Sequence, residues 1–71
     1  MTTKTTYPIA QPTTGLDPVL VIGQLPKDIR TRLGPVKETG FLLGIDCRDI
    51  FCANGLVQYI LGSEEATVVF D

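Results

Sequence analysis

Short apolar runs separated by turn residues make up the second half of the chain, a pattern typical of β-strands. In the first of these runs Phe41, Leu43 and Ile45 alternate with other residues, as expected of a strand that buries one face. Three more apolar runs follow, separated by the turn residues Asn54-Gly55 and Gly62-Ser63-Glu64-Glu65. Residues 39–71 are therefore predicted to form an antiparallel meander.

The strongest local signal in this half is Asn54-Gly55, which favours a type I′ turn in a two-residue hairpin. With that turn, Ile50 faces Tyr59 in one hairpin, and Tyr59 faces Val68 in the next. Directly opposed residues lie on the same side of a sheet, so both hairpins predict one buried face. That predicted face consists of Ile50, Cys52, Val57, Tyr59, Leu61, Ala66, Val68 and Phe70.

A helix over residues 49–61, ending at Gly62, is the competing interpretation of the same segment. It would place Gly55 in mid-helix, where glycine costs about 1 kcal/mol relative to alanine. The hairpin is therefore the favoured prediction.

The first half of the chain contains all five prolines and predicts different elements. Residues 18–24 hold four consecutive apolar, mostly β-branched residues, which predicts a buried strand. The segment from Pro26 to Leu33 predicts a short helix, because proline suits the first turn and the following glycine suits the end. Residues 1–17 are rich in threonine and predict an extended or disordered arm.

The predicted class is therefore α+β: a small, mainly antiparallel β-sheet with a C-terminal meander, one short helix and an extended N-terminal arm. Seventy-one residues leave room for one core, which we place in residues 18–71, with residues 1–17 as the arm. A domain of this size is marginally stable alone, so self-association would help to complete its core. We expect a homo-oligomer.

The composition excludes several kinds of chemistry. The chain has no histidine, which removes Ser-His-Asp and Cys-His pairs and histidine-containing metal motifs. Cys47 and Cys52 are spaced neither as a zinc motif nor as a redox motif, and we expect thiols, with Cys52 in the core. The glycines form no phosphate-binding loop. We expect no enzyme activity, no catalytic residues, no cofactor and no metal.

Charge is divided unevenly along the chain. Residues 1–37 hold five cations and two acids, whereas residues 38–71 hold one cation and six acids. The basic cluster is either a solvated helix face or a contact for an acidic partner. Its members are Lys27, Arg30, Arg32 and Lys37.

The acidic residues favour solvated turns over a catalytic or cation-binding site. Asp46, Asp49, Glu64 and Glu65 are predicted to lie in solvated turns, or to form an acidic face toward a basic partner. The acidic isoelectric point, about 4.8, argues against binding of nucleic acid. No apolar run is long enough to span a membrane or to form a secretory signal. We therefore expect a cytoplasmic protein, in the host-cell cytoplasm if the gene belongs to a virus or mobile element.

The outer face of the meander is the strongest candidate site. It would expose four apolar side chains, and contiguous exposed apolar patches mark interfaces. These are Phe51, Leu56, Ile60 and Val69. The strand that ends at Phe70 would leave a free edge for pairing with another chain. Tyr7 and Ile9 would anchor the arm on a partner.

These features favour a non-enzymatic protein-interaction module. It would be a self-associating regulator or inhibitor that binds a larger macromolecule through its β surface and arm. The predicted partner-binding residues are Tyr7, Ile9, Lys27, Arg30, Arg32, Phe51, Leu56, Ile60 and Val69. The alternatives are a minor structural or assembly protein of virion type, a small nucleic-acid-binding β domain, and a small-ligand sponge at an oligomer interface. The profile is typical of small phage-like accessory proteins.

Overall fold

The computed structural model describes residues 3–12, 17–41 and 47–70. Within them lies one antiparallel sheet of five strands in the order β1-β5-β4-β3-β2, with two short helices between the first two strands of the chain. This arrangement confirms the predicted α+β class. The elements are β1 (Thr3–Pro8), α1 (Pro18–Gly23), α2 (Lys27–Leu33), β2 (Val36–Phe41), β3 (Cys47–Cys52), β4 (Gly55–Ile60) and β5 (Glu65–Phe70).

The predicted C-terminal hairpins are present, and the competing interpretation of residues 49–61 as a helix was wrong. Each hairpin register differs from the prediction by two residues: Ile50 pairs with Val57, and Val57 pairs with Val68. Side chains alternate with a period of two, so a two-residue shift leaves every side chain on its predicted face. The buried face of the sheet is therefore the one that the pattern predicts.

The turn between β3 and β4 explains the first shift. Cys52 pairs with Gly55, so Ala53 and Asn54 form the two-residue loop and Gly55 begins β4. Gly55 does not have the positive φ that a type I′ turn would require of it. The predicted role of this glycine in the turn was wrong.

The N-terminal arm contributes a strand to the same sheet. Residues 3–8 pair antiparallel with β5, from Thr3 opposite Phe70 to Pro8 opposite Glu65. The pairing continues where the Ile9 amide donates to the Glu64 carbonyl at 2.7 Å. The free edge predicted at Phe70 was therefore wrong, because β1 covers it.

Residues 18–23 form a helix, so the strand predicted over residues 18–24 was wrong. The Asp17 carboxylate accepts a hydrogen bond from the Val19 amide at 3.1 Å, and Pro18 occupies the first helical turn. A side-chain cap followed by proline is a helix-start signal strong enough to outweigh the β-branched run. The described residues therefore contain two helices where one was predicted.

The second helix, α2, confirms the segment predicted between Pro26 and Leu33. It ends at Leu33 and is capped by Gly34, whose φ of 74° lies in the left-handed region that glycine tolerates best. β2 begins two residues later, earlier than the strand predicted from Phe41. The other members of that predicted run, Leu43 and Ile45, lie outside the described residues.

The core lies between the helices and one face of the sheet. Its most deeply buried large side chains are less than 2% exposed and come from both helices and from β3, β4 and β5. They are Val21, Leu33, Ile50, Val57 and Val68. The helices follow β1 and precede β2, and they contact β2 and β4. The opposite face of the sheet carries no described helix.

Candidate functional site

The face of the sheet opposite the helices, which we name the open face, carries a row of apolar side chains. Phe51 pairs with Leu56, and Leu56 pairs with Val69, so the three stand side by side across three strands. We name them the apolar row. Phe51 is 43% exposed, and the other two are half-buried. Lysines flank the row on the edge strands, Lys37 beside Phe51 and Lys4 beside Val69.

The middle row of the open face is polar. Asp49 pairs with Gln58, which pairs with Thr67, which pairs with Thr6. Asp49 is 7% exposed and lies within β3, so the prediction that it occupies a solvated turn was wrong. Its Oδ1 atom has no hydrogen-bond partner among the described residues. A buried carboxylate oxygen without a partner costs stability, which makes this position a weak point of the fold.

At the far end of the open face lie Ile60, on the central strand, and Glu65, on its neighbour. Ile60 is 56% exposed. A shallow groove of about 300 Å³ runs between Ile60, Glu65, Gln58 and Thr67. A second groove, of about 520 Å³, lies at the opposite end beside the apolar row. All four outer-face residues predicted from the sequence therefore share one surface.

Both edges of the sheet carry features that oppose pairing with another strand. β1 contains Lys4 and ends at Pro8, which has no amide hydrogen to donate. β2 contains Lys37 and an irregular register between Glu38 and Gly40. Charges, prolines and bulges are the usual devices that prevent edge-to-edge association. A partner is therefore better accommodated on the open face than at an edge.

The structure separates the members of the basic cluster. The guanidinium of Arg32 lies 4.0 Å from the centre of the Phe70 ring, which gives it an intrachain cation–π contact. Arg30 donates from Nε to the Leu25 carbonyl at 3.1 Å. Lys27 is exposed on α2, whereas Lys37 lies on the open face. The four cations do not form one patch.

Tyr7 and Ile9, the two side chains predicted to anchor the arm on a partner, face this chain's own core. Ile9 is 4% exposed and belongs to the core, and Tyr7 packs against it. Tyr7 pairs with Ala66, which places it on the helix side of the sheet. Neither side chain lies on the open face.

Cys47 and Cys52 occupy the two ends of β3, so their Cα atoms are about 16 Å apart. This separation excludes a disulfide between them within one chain. Cys52 is a half-buried free thiol packed against the core, and burial raises its pKa. A raised pKa makes a thiol less reactive.

Within the described residues, the remaining acidic side chains form no metal site. Glu64 is exposed in the connection before β5, as predicted for a solvated turn, whereas Glu65 is exposed as the first residue of β5. Asp46 lies outside the described residues. Within the described parts of the chain, no three acidic, cysteine or histidine residues are close enough to hold a metal ion.

A second exposed apolar patch was missed because α1 was predicted to be a strand. Val19 is 67% exposed and Leu20 is 54% exposed, and we name these two side chains the α1 patch. They line a groove of about 380 Å³ with Gln11, Pro12, Gly23 and Gln24. The Gln24 amide holds this region together, accepting from the Gln11 amide at 2.8 Å and donating to the Gln11 carbonyl at 3.0 Å. The cap at Asp17 was the sequence signal that could have revealed the patch.

Comparisons with models of protein families, with curated proteins and with solved structures found no match for this chain. Neither helix in the described residues is long and apolar enough to cross a membrane.

Proposed function

We propose that this protein is a non-enzymatic protein-interaction module whose binding surface is the open face of its sheet. The observation that carries the proposal is the apolar row, which crosses three hydrogen-bonded strands on the face away from the helices. Exposed apolar patches rimmed by charged side chains are typical of protein interfaces. Here the rim is formed by Lys4 and Lys37.

The open face is favoured over the α1 patch for a structural reason. Phe51, Leu56 and Val69 stand on three adjoining strands, so the backbone hydrogen bonds of the sheet fix their spacing. Val19 and Leu20 belong to a helix of six residues. Preorganised aromatic and aliphatic anchors bind at a lower entropic cost than mobile ones, which favours the sheet.

Affinity capture with three baits tests the proposal: the wild-type chain, Phe51→Glu and the matched control Leu20→Glu. Both substituted side chains are more than 40% exposed, so both variants should fold, as circular dichroism can verify. The expected result is that Phe51→Glu loses the protein captured by the wild-type chain, whereas Leu20→Glu retains it. The reverse pattern would assign binding to the α1 patch and overturn the proposal.

A further inference from the structure

We propose that the open face binds a second copy of this chain, face to face, about a two-fold axis that runs across the strands. This inference rests on the proposed function, because it names the partner of the same surface. The features that support it are the order of side chains along the strands and the signs of the charges at the two ends of the face.

The open face has different chemistry at its two ends. Leu56 lies at one end of the central strand β4 and Ile60 at the other, four residues or about 13 Å away. Lys4 and Lys37 lie at the Leu56 end, and Glu65 lies at the Ile60 end. One end is thus apolar with a positive rim, and the other has an exposed isoleucine beside an acid.

A two-fold axis that passes through the middle row and crosses the strands superimposes unlike ends. Leu56 of one copy then meets Ile60 of the other, beside the groove along the apolar row. Lys4 lies one strand away from Glu65 of the other copy, and the long lysine side chain can span that distance. The strands of two packed sheets lie within about 30° of each other. This rotation is small enough that both contacts remain close to the axis.

The other face-to-face symmetry is disfavoured by charge. A two-fold axis parallel to the strands would exchange the two edge strands and place Lys4 opposite Lys37 of the second copy. Like charges opposed across an interface are repulsive. The exposed lysines of the rim therefore favour the axis that crosses the strands. That axis places Asp49 of each copy opposite Asp49 of the other, but this side chain is only 7% exposed.

The size of the face predicts a weak dimer. Five strands of six residues cover about 20 Å by about 20 Å, or about 400 Å² per copy. This area lies below that of standard stable interfaces and in the range of transient ones. We expect a dissociation constant of about 10–100 µM, which measurements over a range of concentrations can resolve.

Sedimentation equilibrium of the full chain, from about 5 µM to about 500 µM, tests the inference with two charge reversals. Lys4→Glu and Glu65→Lys should each weaken the dimer about tenfold, because each replaces two attractive pairs by two repulsive ones. An equimolar mixture of the two variants should restore the wild-type affinity, since both pairs in the heterodimer are again of opposite sign. Lys27→Glu, on α2, is the matched control and should leave the affinity unchanged.

The mixture is decisive because Lys4 and Glu65 are too far apart within one chain to compensate for each other. A dimer that Lys4→Glu strengthens would indicate the parallel axis and overturn the inference. Loss without recovery in the mixture would also overturn it. A wild-type chain that is monomeric at every concentration would overturn it as well, and Phe51-dependent capture of a different protein would then still support the proposed function.

Discussion

Replacement of Gly55 by alanine should destabilise the fold, because a side chain at this position has no room. A Cβ built on Gly55 lies 2.9 Å from Cδ1 and Cε1 of Phe70 and 3.0 Å from Cδ2 of Leu33. Both neighbours are at most 7% exposed, and Arg32 covers the Phe70 ring. The added methyl group therefore has to displace two packed side chains at once.

The expected magnitude follows from two opposing effects. Overpacking a core costs about 1–3 kcal/mol. Removing a glycine from a strand returns about 0.5–1 kcal/mol, since the unfolded chain loses conformational freedom. At the midpoints of these ranges, the net loss for Gly55→Ala is about 1 kcal/mol, or a fall in melting temperature of about 4–8 °C for a domain of this size.

Urea unfolding followed by circular dichroism measures this loss, and Gly23→Ala is the matched control. Gly23 ends α1, has no atom within 4 Å of a built Cβ and has no positive φ. Alanine should therefore stabilise the chain there by about 0.5–1 kcal/mol. A Gly55→Ala variant as stable as the wild-type chain, beside the expected gain at Gly23, would refute the packing argument.

A second substitution separates packing from turn geometry. Asparagine is well tolerated at the positive-φ positions of type I′ turns, so a turn role for Gly55 predicts that Gly55→Asn is milder than Gly55→Ala. Packing against Phe70 and Leu33 predicts the opposite order, because asparagine is the larger residue. The order of the two unfolding midpoints decides between the two roles.

Three further predictions concern single side chains. Asp49→Asn should raise the free energy of unfolding by about 1 kcal/mol, because it removes the charge of a buried carboxylate whose Oδ1 atom has no described partner. A lower free energy of unfolding, measured in urea, would contradict this. Arg32→Gln should lower it by about 0.5–1 kcal/mol through loss of the contact with Phe70, whereas equal stability would show that the contact contributes nothing. Burial raises the pKa of Cys52, so less of its thiol is in the reactive thiolate form. In a Cys47→Ser variant, alkylation of Cys52 at about pH 8 should therefore be slower in the native chain than in urea. Equal rates would contradict the burial of this thiol. The same shift means that the contribution of Cys52 to stability is complete below its unfolded pKa and declines as pH rises through its folded pKa.

The strand predicted at α1 and the free edge predicted at Phe70 were wrong for different physical reasons. For α1 the needed information was local: Asp17 followed by Pro18 is a helix start, and it outweighs four apolar residues that resemble a strand. For β1 the information was not local, because Thr3 pairs with Phe70 at the other end of the chain. Threonine favours strands, but its sequence neighbours do not specify so distant a partner.

The open face was predicted correctly even though both hairpin registers were shifted. A shift of two residues preserves the face of every side chain, so Phe51, Leu56, Ile60 and Val69 were assigned to one surface by alternation alone. Their arrangement on that surface depends on the register, however. The predicted pairing would have put polar Gln58 between Phe51 and Val69.

The observed pairing puts Leu56 between Phe51 and Val69 and makes the apolar row continuous. This pairing follows from starting β4 at Gly55, beneath Phe70 and Leu33, where only a residue without a side chain fits. The close packing at Gly55 on the core face thus determines which side chains adjoin on the open face. A substitution at Gly55 that moved the register by two residues would therefore interrupt the apolar row and weaken binding, even though it changes no residue of the open face.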